Sequence, residues 1–599
     1  MPTLDAVHAL LKSTFGYDRL RPGQAEIIKA LLAGENVLAV MPTGSGKSLC
    51  YQLPALATET LTVVVSPLIA LMRDQVAALR VNGVAAGALN SATPRADAAE
   101  THRQLRDGRL RLLYISPERL VQPDVLDGLA RHGPAMFAID EAHCISQWGH
   151  DFRPDYRRLA ELPEHFPDAQ LGAFTATADA VTRKDIVEQV FRGRAKVVVA
   201  GFDRPNLQIG IAPRNSAARQ IDTLLDRHAG RSGIVYTLSR KEAERTAQRL
   251  SSHGRTALPY HAGMDQVIRD RNQDRFLTED GVVMVATIAF GMGIDKPDVR
   301  FVVHANIPPT VEAYYQEIGR AGRDGLPAET LMLYGMNDIR LRRLMIDESD
   351  RPDDAKRIEH QRLNALLALC ETAGCRRRAL LGYFGEACDP CGNCDRCLVP
   401  VKTIDGTVIA QKALSAVLRT GERFGAEHLT SVLRGEATDK VRQYRHDRLP
   451  TFGVGADIDK TLWRSYLRQL VAADVLKNDI DGYGLKLGGR GRSLLRGAET
   501  VALHGEAAGR PKGRIEAPER SPTSADPTLF AQLKQVRLEI ANAEGVPAFV
   551  VFHDRSLLDM AARRPQNLEQ FSACHGVGAS KLERYGERFL AALKDAADI

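Results

Sequence analysis

The sequence predicts an α/β protein. Two consecutive parallel-sheet domains are followed by a helical, cysteine-bearing segment, a mixed helix-and-strand segment and a small helical module. Three observations carry this reading. Short β-rich runs alternate with helical stretches in two successive series. A Gly-Lys-Ser turn directly follows the first run, and five of the nine cysteines crowd between Cys375 and Cys397.

The first series comprises 36–40 (NVLAV), 61–65 (LTVVV), 111–115 (RLLYI), 135–139 (AMFAI) and 171–174 (LGAF). The second comprises 233–237 (GIVYT), 282–287 (VVMVAT), 299–304 (VRFVVH) and 329–334 (ETLMLY). The junction falls near Gly201 to Pro205. The resulting division is 1–203 and 204–342 for the two sheet domains, 343–402 for the cysteine segment and 403–500 for the mixed segment. Residues 501–526, rich in Ala, Gly, Pro and Ser, read as a linker, and 527–599 as the terminal helical module.

Composition narrows the function classes. No apolar run approaches the length of a membrane span, and the first residues lack the basic start and small-residue cleavage site of a secretion signal. The expected compartment is the cytoplasm. The formal net charge of +6 is unevenly spread. Residues 407–500 hold 16 Lys/Arg against 11 Asp/Glu, whereas 527–599 hold nine of each. A basic late segment suits contact with phosphate backbones, although a surplus of this size is also common on a solvated surface.

The chemistry begins at Met41-Pro42-Thr43-Gly44-Ser45-Gly46-Lys47-Ser48. A strand, a glycine-rich turn and a helix form a phosphate cradle. Backbone N–H groups and the helix N-terminus face the anion, Lys47 neutralises it, and the Ser48 hydroxyl can bind Mg²⁺. Nearly a hundred residues later, AMFAI runs into Asp140-Glu141-Ala142-His143. Asp140 is the expected metal-side ligand and Glu141 the residue that orients and deprotonates the attacking water. A lone acidic pair would read as a helix cap; beside a phosphate loop it signals a nucleotide hydrolase. In the second sheet domain, Gln316-Glu317-Ile318-Gly319-Arg320-Ala321-Gly322-Arg323-Asp324-Gly325 places Arg320 and Arg323 three apart, as on one helical face, from which they can reach the γ-phosphate.

Taken together, Asp140-Glu141-Ala142-His143 and QEIGRAGRDG resemble superfamily 2 helicases. Further matches narrow the resemblance to the RecQ family: Phe15-Gly16-Tyr17 with Arg21-Pro22-Gly23-Gln24, Ser66-Pro67-Leu68, Ser116-Pro117-Glu118, Thr175-Ala176-Thr177, Tyr260-His261-Ala262-Gly263, and Ala286-Thr287 to Asp295. The resemblance covers essentially the whole chain. It implies two RecA-like domains, a zinc-binding subdomain, a winged helix at 403–500 and a helicase-and-RNase-D C-terminal (HRDC) module. It further implies that Tyr17, Arg21 and Gln24 clasp adenine, which suits an aromatic face that stacks the base and an amide that reads its edge. ATP, Mg²⁺ and Zn²⁺ are the expected cofactors. Single-stranded and duplex DNA are the expected partners, with single-strand-binding protein beside them, no membrane, and a monomeric, nucleoid-associated enzyme. Unwinding in the 3′ to 5′ direction, in recombination, repair and replication, follows from the resemblance alone. The competing readings are an RNA helicase of the same superfamily and a DNA-binding scaffold with an inactive ATPase.

Four further features refine this expectation. In Ser146-Gln147-Trp148-Gly149-His150-Asp151-Phe152-Arg153, the aromatics Trp148 and Phe152 with Arg153 suit stacking on unpaired bases; burial against the domain is the alternative, and the family's aromatic-rich loop favours DNA contact. Cys375, Cys391, Cys394 and Cys397 have the spacing Cys-x15-Cys-x2-Cys-x2-Cys of a closed structural zinc site. An iron–sulfur cluster on Cys388, Cys391, Cys394 and Cys397 is conceivable, but the resemblance places the first ligand at Cys375 and no proline follows Cys397. Arg442 to Arg448 and Thr451 to Asp457 match the winged helix, and Pro547 to Phe552 match the HRDC module. There Gly576-Val577-Gly578 reads as a turn whose N–H groups face a phosphate, and Phe549 as a ring for base stacking.

Overall fold

The computed structural model describes residues 2–146, 153–178, 180–288, 290, 296–478, 484–505 and 526–595. Two parallel sheets form the first half. The first holds β1 (Val37–Val40), β2 (Thr62–Val65), β3 (Ala86–Leu89), β4 (Leu112–Ile115), β5 (Met136–Ile139), β6 (Gln170–Thr175) and β7 (Lys196–Val199), in the order β3-β4-β2-β5-β6-β1-β7. The second holds β8 (Leu207–Pro213), β9 (Gly233–Tyr236), β10 (Ala257–Tyr260), β11 (Val283–Ala286), β12 (Phe301–His304) and β13 (Ala328–Tyr334), in the order β10-β11-β9-β12-β13-β8.

Central strands of the first sheet are buried on both faces, so each reads as a continuous apolar run. Leu38, Val40, Val63, Val65, Phe137 and Ile139 pack on one side. Val37, Ala39, Val64, Tyr114, Met136 and Ala138 pack on the other, under the helices Leu4–Phe15, Gln24–Leu32 and Leu49–Thr58. Each Val, Leu, Ile, Phe or Met side chain among them contributes about 1.5–3 kcal/mol on leaving water.

Four strands escaped the sequence reading: β3, β7, β8 and β10. All four are sheet edges. Ala86-Gly87-Ala88-Leu89 carries little β-branched bulk, and a Cβ at Gly87 would meet Thr101 Oγ1 at 2.4 Å. β10 contains Pro259, which an edge strand tolerates because no ladder bond is lost on its open side.

The cysteine segment is helical, with helices Asp353–Glu371 and Arg376–Tyr383. The following unit packs helices Thr407–Arg419, Ala426–Arg434 and Lys460–Ala472 against a small antiparallel pair, β15 (Leu476–Asn478) and β16 (Leu485–Leu487). Arg442, Arg445 and Arg448 are exposed on it, whereas Gly455 is packed under the buried Trp463, whose Nε1 donates to the Gly455 carbonyl at 2.8 Å. The linker reading begins too early. β17 (Ala502–His504) pairs antiparallel with β14 (Thr403–Asp405), and the Gln469 amide donates to the His504 carbonyl at 2.8 Å. Three residues are too short a run to stand out beside a polar, glycine-rich stretch. The terminal module spans helices Pro527–Glu544, Ala548–Val551, Asp554–Arg563, Leu568–Ser572 and Ala579–Asp595, around its own core of Leu533, Val551, Leu557, Met560, Phe571 and Phe589. Among the described residues, no helix is long and apolar enough to cross a membrane.

Candidate active site

The cleft forms where β5, β6 and β1 lie side by side, at their C-terminal ends, the position that open parallel sheets favour for ligands. The phosphate loop leaves β1 with the Met41 N–H donating to the Thr175 carbonyl of β6 at 2.9 Å. Gly44 and Gly46 take φ of 80° and 83°, a left-handed conformation that glycine adopts without steric cost. Ser45 Oγ donates to the Pro42 carbonyl at 2.6 Å, closing the turn. Ser48 stands at the N-terminus of helix Leu49–Thr58 and makes no side-chain cap bond there.

Gln24 is 1% exposed and braces this loop. Its Nε2 donates to the carbonyls of Gly46 at 2.9 Å and Ser45 at 3.1 Å, while its Oε1 accepts the Arg21 N–H at 2.7 Å. The Arg21 guanidinium donates to the Gly44 carbonyl. Two of the three side chains expected at the base, Arg21 and Gln24, are therefore engaged with the phosphate loop itself.

Asp140 follows β5, its N–H donating to the Val65 carbonyl at 2.9 Å, and its Oδ1 accepts the Glu141 N–H at 3.0 Å. The Tyr156 hydroxyl holds the Asp140 carbonyl at 3.0 Å. Glu141 sits at φ 49° and ψ 44°. A non-glycine residue held there costs about 1–3 kcal/mol, a strain that recurs at functional sites. Glu141 Oε2 is buried without a hydrogen bond. His143 Nδ1 lies 3.4 Å from it and shares a 3.0 Å hydrogen bond with Thr175 Oγ1. An orphaned carboxylate oxygen beside a phosphate loop fits a cleft that receives water and a divalent cation.

From the second sheet comes the arginine segment. The expected helical face is corrected here: helix Val311–Ile318 ends at Ile318, and Gly319 to Asp324 continue as turns. Glycine at 319, 322 and 325 is the cause. Gly322 has φ 57°, its N–H donates to the Val299 carbonyl at 2.9 Å, and a Cβ there would meet Asn206 Nδ2 at 2.5 Å. Both arginines still reach the cleft. Arg320 is 7% exposed with its Nε lacking a hydrogen-bond partner, and a Cβ at Gly44 would meet Arg323 Cγ at 3.4 Å. Gln316 Nε2 donates to Thr177 Oγ1 at 3.0 Å, tying the two sheet domains at the end of β6.

A single cavity of about 1130 Å³ gathers Lys47, Ser48, Asp140, Glu141, Arg320 and Arg323, with Tyr17, Arg21 and Gln24 at one end. The terminal module also lines it, through Phe549, His553, Arg555, His575 and Lys581. The sequence singled out Phe549 as a stacking ring, but nothing in it placed Phe549, His553, Arg555, His575 or Lys581 at the nucleotide cleft, because the contact joins segments hundreds of positions apart. The Gly576-Val577-Gly578 turn docks rather than presenting its N–H groups to a phosphate. Gly576 N–H donates to the Gly16 carbonyl at 3.0 Å, and a Cβ at Gly578 would lie 2.3 Å from the Thr14 carbonyl oxygen. Ser580 Oγ donates to the Val81 carbonyl at 2.7 Å, and Lys534 pairs with Asp280 at 2.5 Å, so the module touches both sheet domains. Half-buried Phe549 stacks near His553, with ring centroids 6.3 Å apart.

The four cysteines converge: the Sγ atoms of Cys375, Cys391, Cys394 and Cys397 all lie within 4.8 Å of one another. Cys375–Cys394 and Cys391–Cys397 are 3.9 and 4.0 Å apart. Tetrahedral zinc with Zn–S bonds of about 2.3 Å requires S···S distances of about 3.8 Å. Backbone N–H groups of Arg378 and Cys391 donate to Cys375 Sγ at 3.4 and 3.3 Å, and that of Arg376 to Cys394 Sγ at 3.4 Å, as suits thiolate ligands. Among the described residues, Cys388 is not part of the group. Trp148 and Phe152 lie outside the described residues. Arg153 is half-buried, its N–H donating to the Cys144 carbonyl at 3.0 Å.

Comparison with known proteins follows the same order of units. Residues 21–186 match the DEAD/DEAH box helicase family, 216–325 the helicase conserved C-terminal domain, 336–398 the RecQ zinc-binding family, 400–512 the RQC domain and 526–593 the HRDC domain. The chain is 41% identical over 592 residues to the ATP-dependent DNA helicase RecQ of Haemophilus influenzae, covering 98% of this chain and 95% of that protein. The Pasteurella multocida protein of the same name is 41% identical over 594 residues (98% and 93% covered), and that of Bacillus subtilis 39% over 591 (98% of each).

Proposed function

This chain belongs to the RecQ family of ATP-dependent DNA helicases, and from that premise we propose how its residues divide the work. The protein is an ATP-dependent DNA helicase. Lys47 and the loop amides bind the β- and γ-phosphates. Glu141 orients a water molecule in line with the γ-phosphorus and accepts its proton as the new P–O bond forms and the bond to the departing diphosphate breaks. Arg320 and Arg323 offset the charge that develops on the transferred group. Ser48 and Asp140 would hold Mg²⁺, whose charge, when bound, neutralises the phosphates. Cys375, Cys391, Cys394 and Cys397 would hold Zn²⁺ as a structural cross-link.

The observation that carries this reading is the convergence, in one cavity, of the phosphate loop and carboxylates of one sheet with the arginines of the other. Closure on ATP and opening after hydrolysis ratchet a single DNA strand across both sheet domains, in the 3′ to 5′ direction. Trp148, Phe152 and Arg153 contact that strand, and the exposed arginines at 442–448 meet the duplex backbone. Tyr17, Arg21 and Gln24 face the base of ATP, Gln24 exchanging its loop bonds for the adenine edge. Recombination and repair in the cytoplasm, at the nucleoid and beside single-strand-binding protein, with the chain as a monomer, complete the proposal.

The test is ATP hydrolysis with and without single-stranded DNA, combined with displacement of a labelled strand from a fork. Hydrolysis stimulated by DNA and strand displacement that needs hydrolysable ATP are expected. Stimulation by RNA alone would favour an RNA helicase, and DNA binding without hydrolysis an inactive scaffold.

A further inference from the structure

Between the two sheets, the stretch Gly201 to Pro205 read in the sequence only as a domain junction. In the structure the junction holds Arg204, whose guanidinium donates to four backbone carbonyls. Nη1 reaches Thr43 at 2.6 Å and Gly319 at 3.2 Å, and Nη2 reaches Ala321 at 2.8 Å and Gly322 at 2.9 Å. Nε completes the set on Asn206 Oδ1 at 3.4 Å. All five donors of the fork are thus used. Asn206 adds bonds from Nδ2 to Gly322 at 2.8 Å and Leu326 at 2.9 Å.

The partners divide by domain. Gly319, Ala321 and Gly322 form the turn that carries Arg320 and Arg323, whereas Thr43 belongs to the phosphate loop. Of the Arg204 bonds, only that to Thr43 spans the cleft, so it alone among them must break when the sheets separate. Because Gly319 to Asp324 are turns rather than helix, the Gly319 and Ala321 carbonyls receive their donors from Arg204, whereas that of Gly322 also accepts the Gly325 N–H at 3.0 Å. Burial, with Arg323 and Arg21 nearby, lowers its pKa to about 10, which leaves it charged near neutral pH.

Arg204 is itself held from behind. Arg377, 4% exposed, donates to Asp203 Oδ1 at 2.6 Å and to the carbonyls of Arg204 and Leu207, both at 2.5 Å. Asn393 Nδ2 donates to the Pro205 carbonyl at 3.3 Å, and the Tyr315 hydroxyl to that of Phe202 at 2.8 Å. Phe202 stacks on Phe384 at 4.5 Å. Arg377 and Asn393 flank the cluster cysteines, so the cysteine segment braces the junction at the cleft.

We propose that Arg204 is a positioning residue for ATP hydrolysis: it holds the Arg320–Arg323 turn in register with the phosphate loop when the cleft closes, without touching nucleotide. This rests on the hydrolytic reading of the cleft. Lysine cannot take its place, since one ammonium on a flexible stem does not span four carbonyls held by a planar fork.

The experiment compares the full chain with Arg204→Lys and Arg204→Gln, each also in an Arg323→Ala background. It measures kcat and KM with saturating single-stranded DNA, affinity for a fluorescent non-hydrolysable ATP analogue, and melting temperature. Both substitutions are expected to lower kcat about 100-fold, as a small misplacement of reacting groups does. Analogue affinity should stay within about twofold, and the further loss in the Arg323→Ala background should also be within about twofold, because the two residues act as a unit. Unchanged kcat, rescue by lysine, parallel loss of analogue binding, fully multiplicative losses, or a collapsed melting temperature in Arg204→Lys would each overturn the proposal. Absence of DNA-stimulated hydrolysis in the unmodified chain would instead sink the hydrolytic reading.

Discussion

The ring of Tyr17 lies 5.4 Å from that of His575, inclined at 50°. A residue expected at the base of ATP is thereby in contact with the terminal module, which forms one wall of the nucleotide cavity. In the sequence it read as a charge-balanced helical module behind a linker; the docking contacts give it a place at the cleft.

Truncation after Gly505, which spares the β14–β17 pair, should leave a folded chain that hydrolyses ATP with DNA and opens simple forks. Its nucleotide wall is gone, so release of a fluorescent ADP analogue should be faster than in the full chain, by stopped-flow chase, since changes at one interface act mostly on dissociation. Its preference among DNA structures should also shift, because a tethered site adds effective concentration. A truncated chain that hydrolyses ATP but cannot open a fork would remove the module from its accessory role.

Docking should weaken in acid. Burial foremost, then Arg555, holds the His575 pKa at about 4 against an ordinary 6.5, with Asp559, Arg21 and Asp18 also facing it. Its Nδ1 is buried without a hydrogen-bond partner. Undocking lets the ring take a proton, so docking has its full strength above about pH 6.5 and loses it as pH falls toward 4. Off-rates of the ADP analogue from full and truncated chains should converge between pH 7.5 and 5.5. His575→Phe should abolish that convergence; its persistence in the variant would assign the effect to another group.

Glu141→Gln should lower turnover by about 10²–10⁴-fold while ATP and DNA binding remain. Lys47→Ala should instead weaken nucleotide binding as well, because a charge facing phosphate is lost. Equilibrium binding beside steady-state hydrolysis separates the two. Near-normal turnover in Glu141→Gln would leave the water without its base.

Purified protein should be colourless and carry one zinc per chain by elemental analysis. Cys375→Ser should lower the melting temperature and the metal content, since metal-binding energy is folding energy in such sites. Cys388→Ser should do neither. Visible absorbance from iron, or zinc loss on changing Cys388 alone, would reassign the ligands.

Trp148→Ala or Arg153→Ala should uncouple hydrolysis from DNA, abolishing most of the stimulation by single strands while basal turnover and folding survive. Arg153 connects to the carboxylate segment through its N–H bond to Cys144, three residues beyond Glu141. Full stimulation in both variants would reduce the loop to packing.

Side chains whose chemistry is local were legible in the sequence. The phosphate loop, Asp140-Glu141 and the cysteine spacing each sit within a few positions of a strand end or turn, and the central strands advertise themselves because burial on both faces demands continuous apolar runs. The edge strands β3 and β10 do not, since one flank is open and small or proline residues suffice, whereas β7 and β8 carry β-branched or alternating apolar residues and went unread despite them. Arg320 and Arg323 were legible as a pair but not as a turn, because the helix is broken by glycines whose space is occupied by Asn206 and by Thr43, side chains distant in sequence. Arg204, His575 and the docked terminal module were decided by tertiary structure alone. Each acts through backbone carbonyls or rings brought close by folding, and a carbonyl acceptor leaves no mark on residue identity.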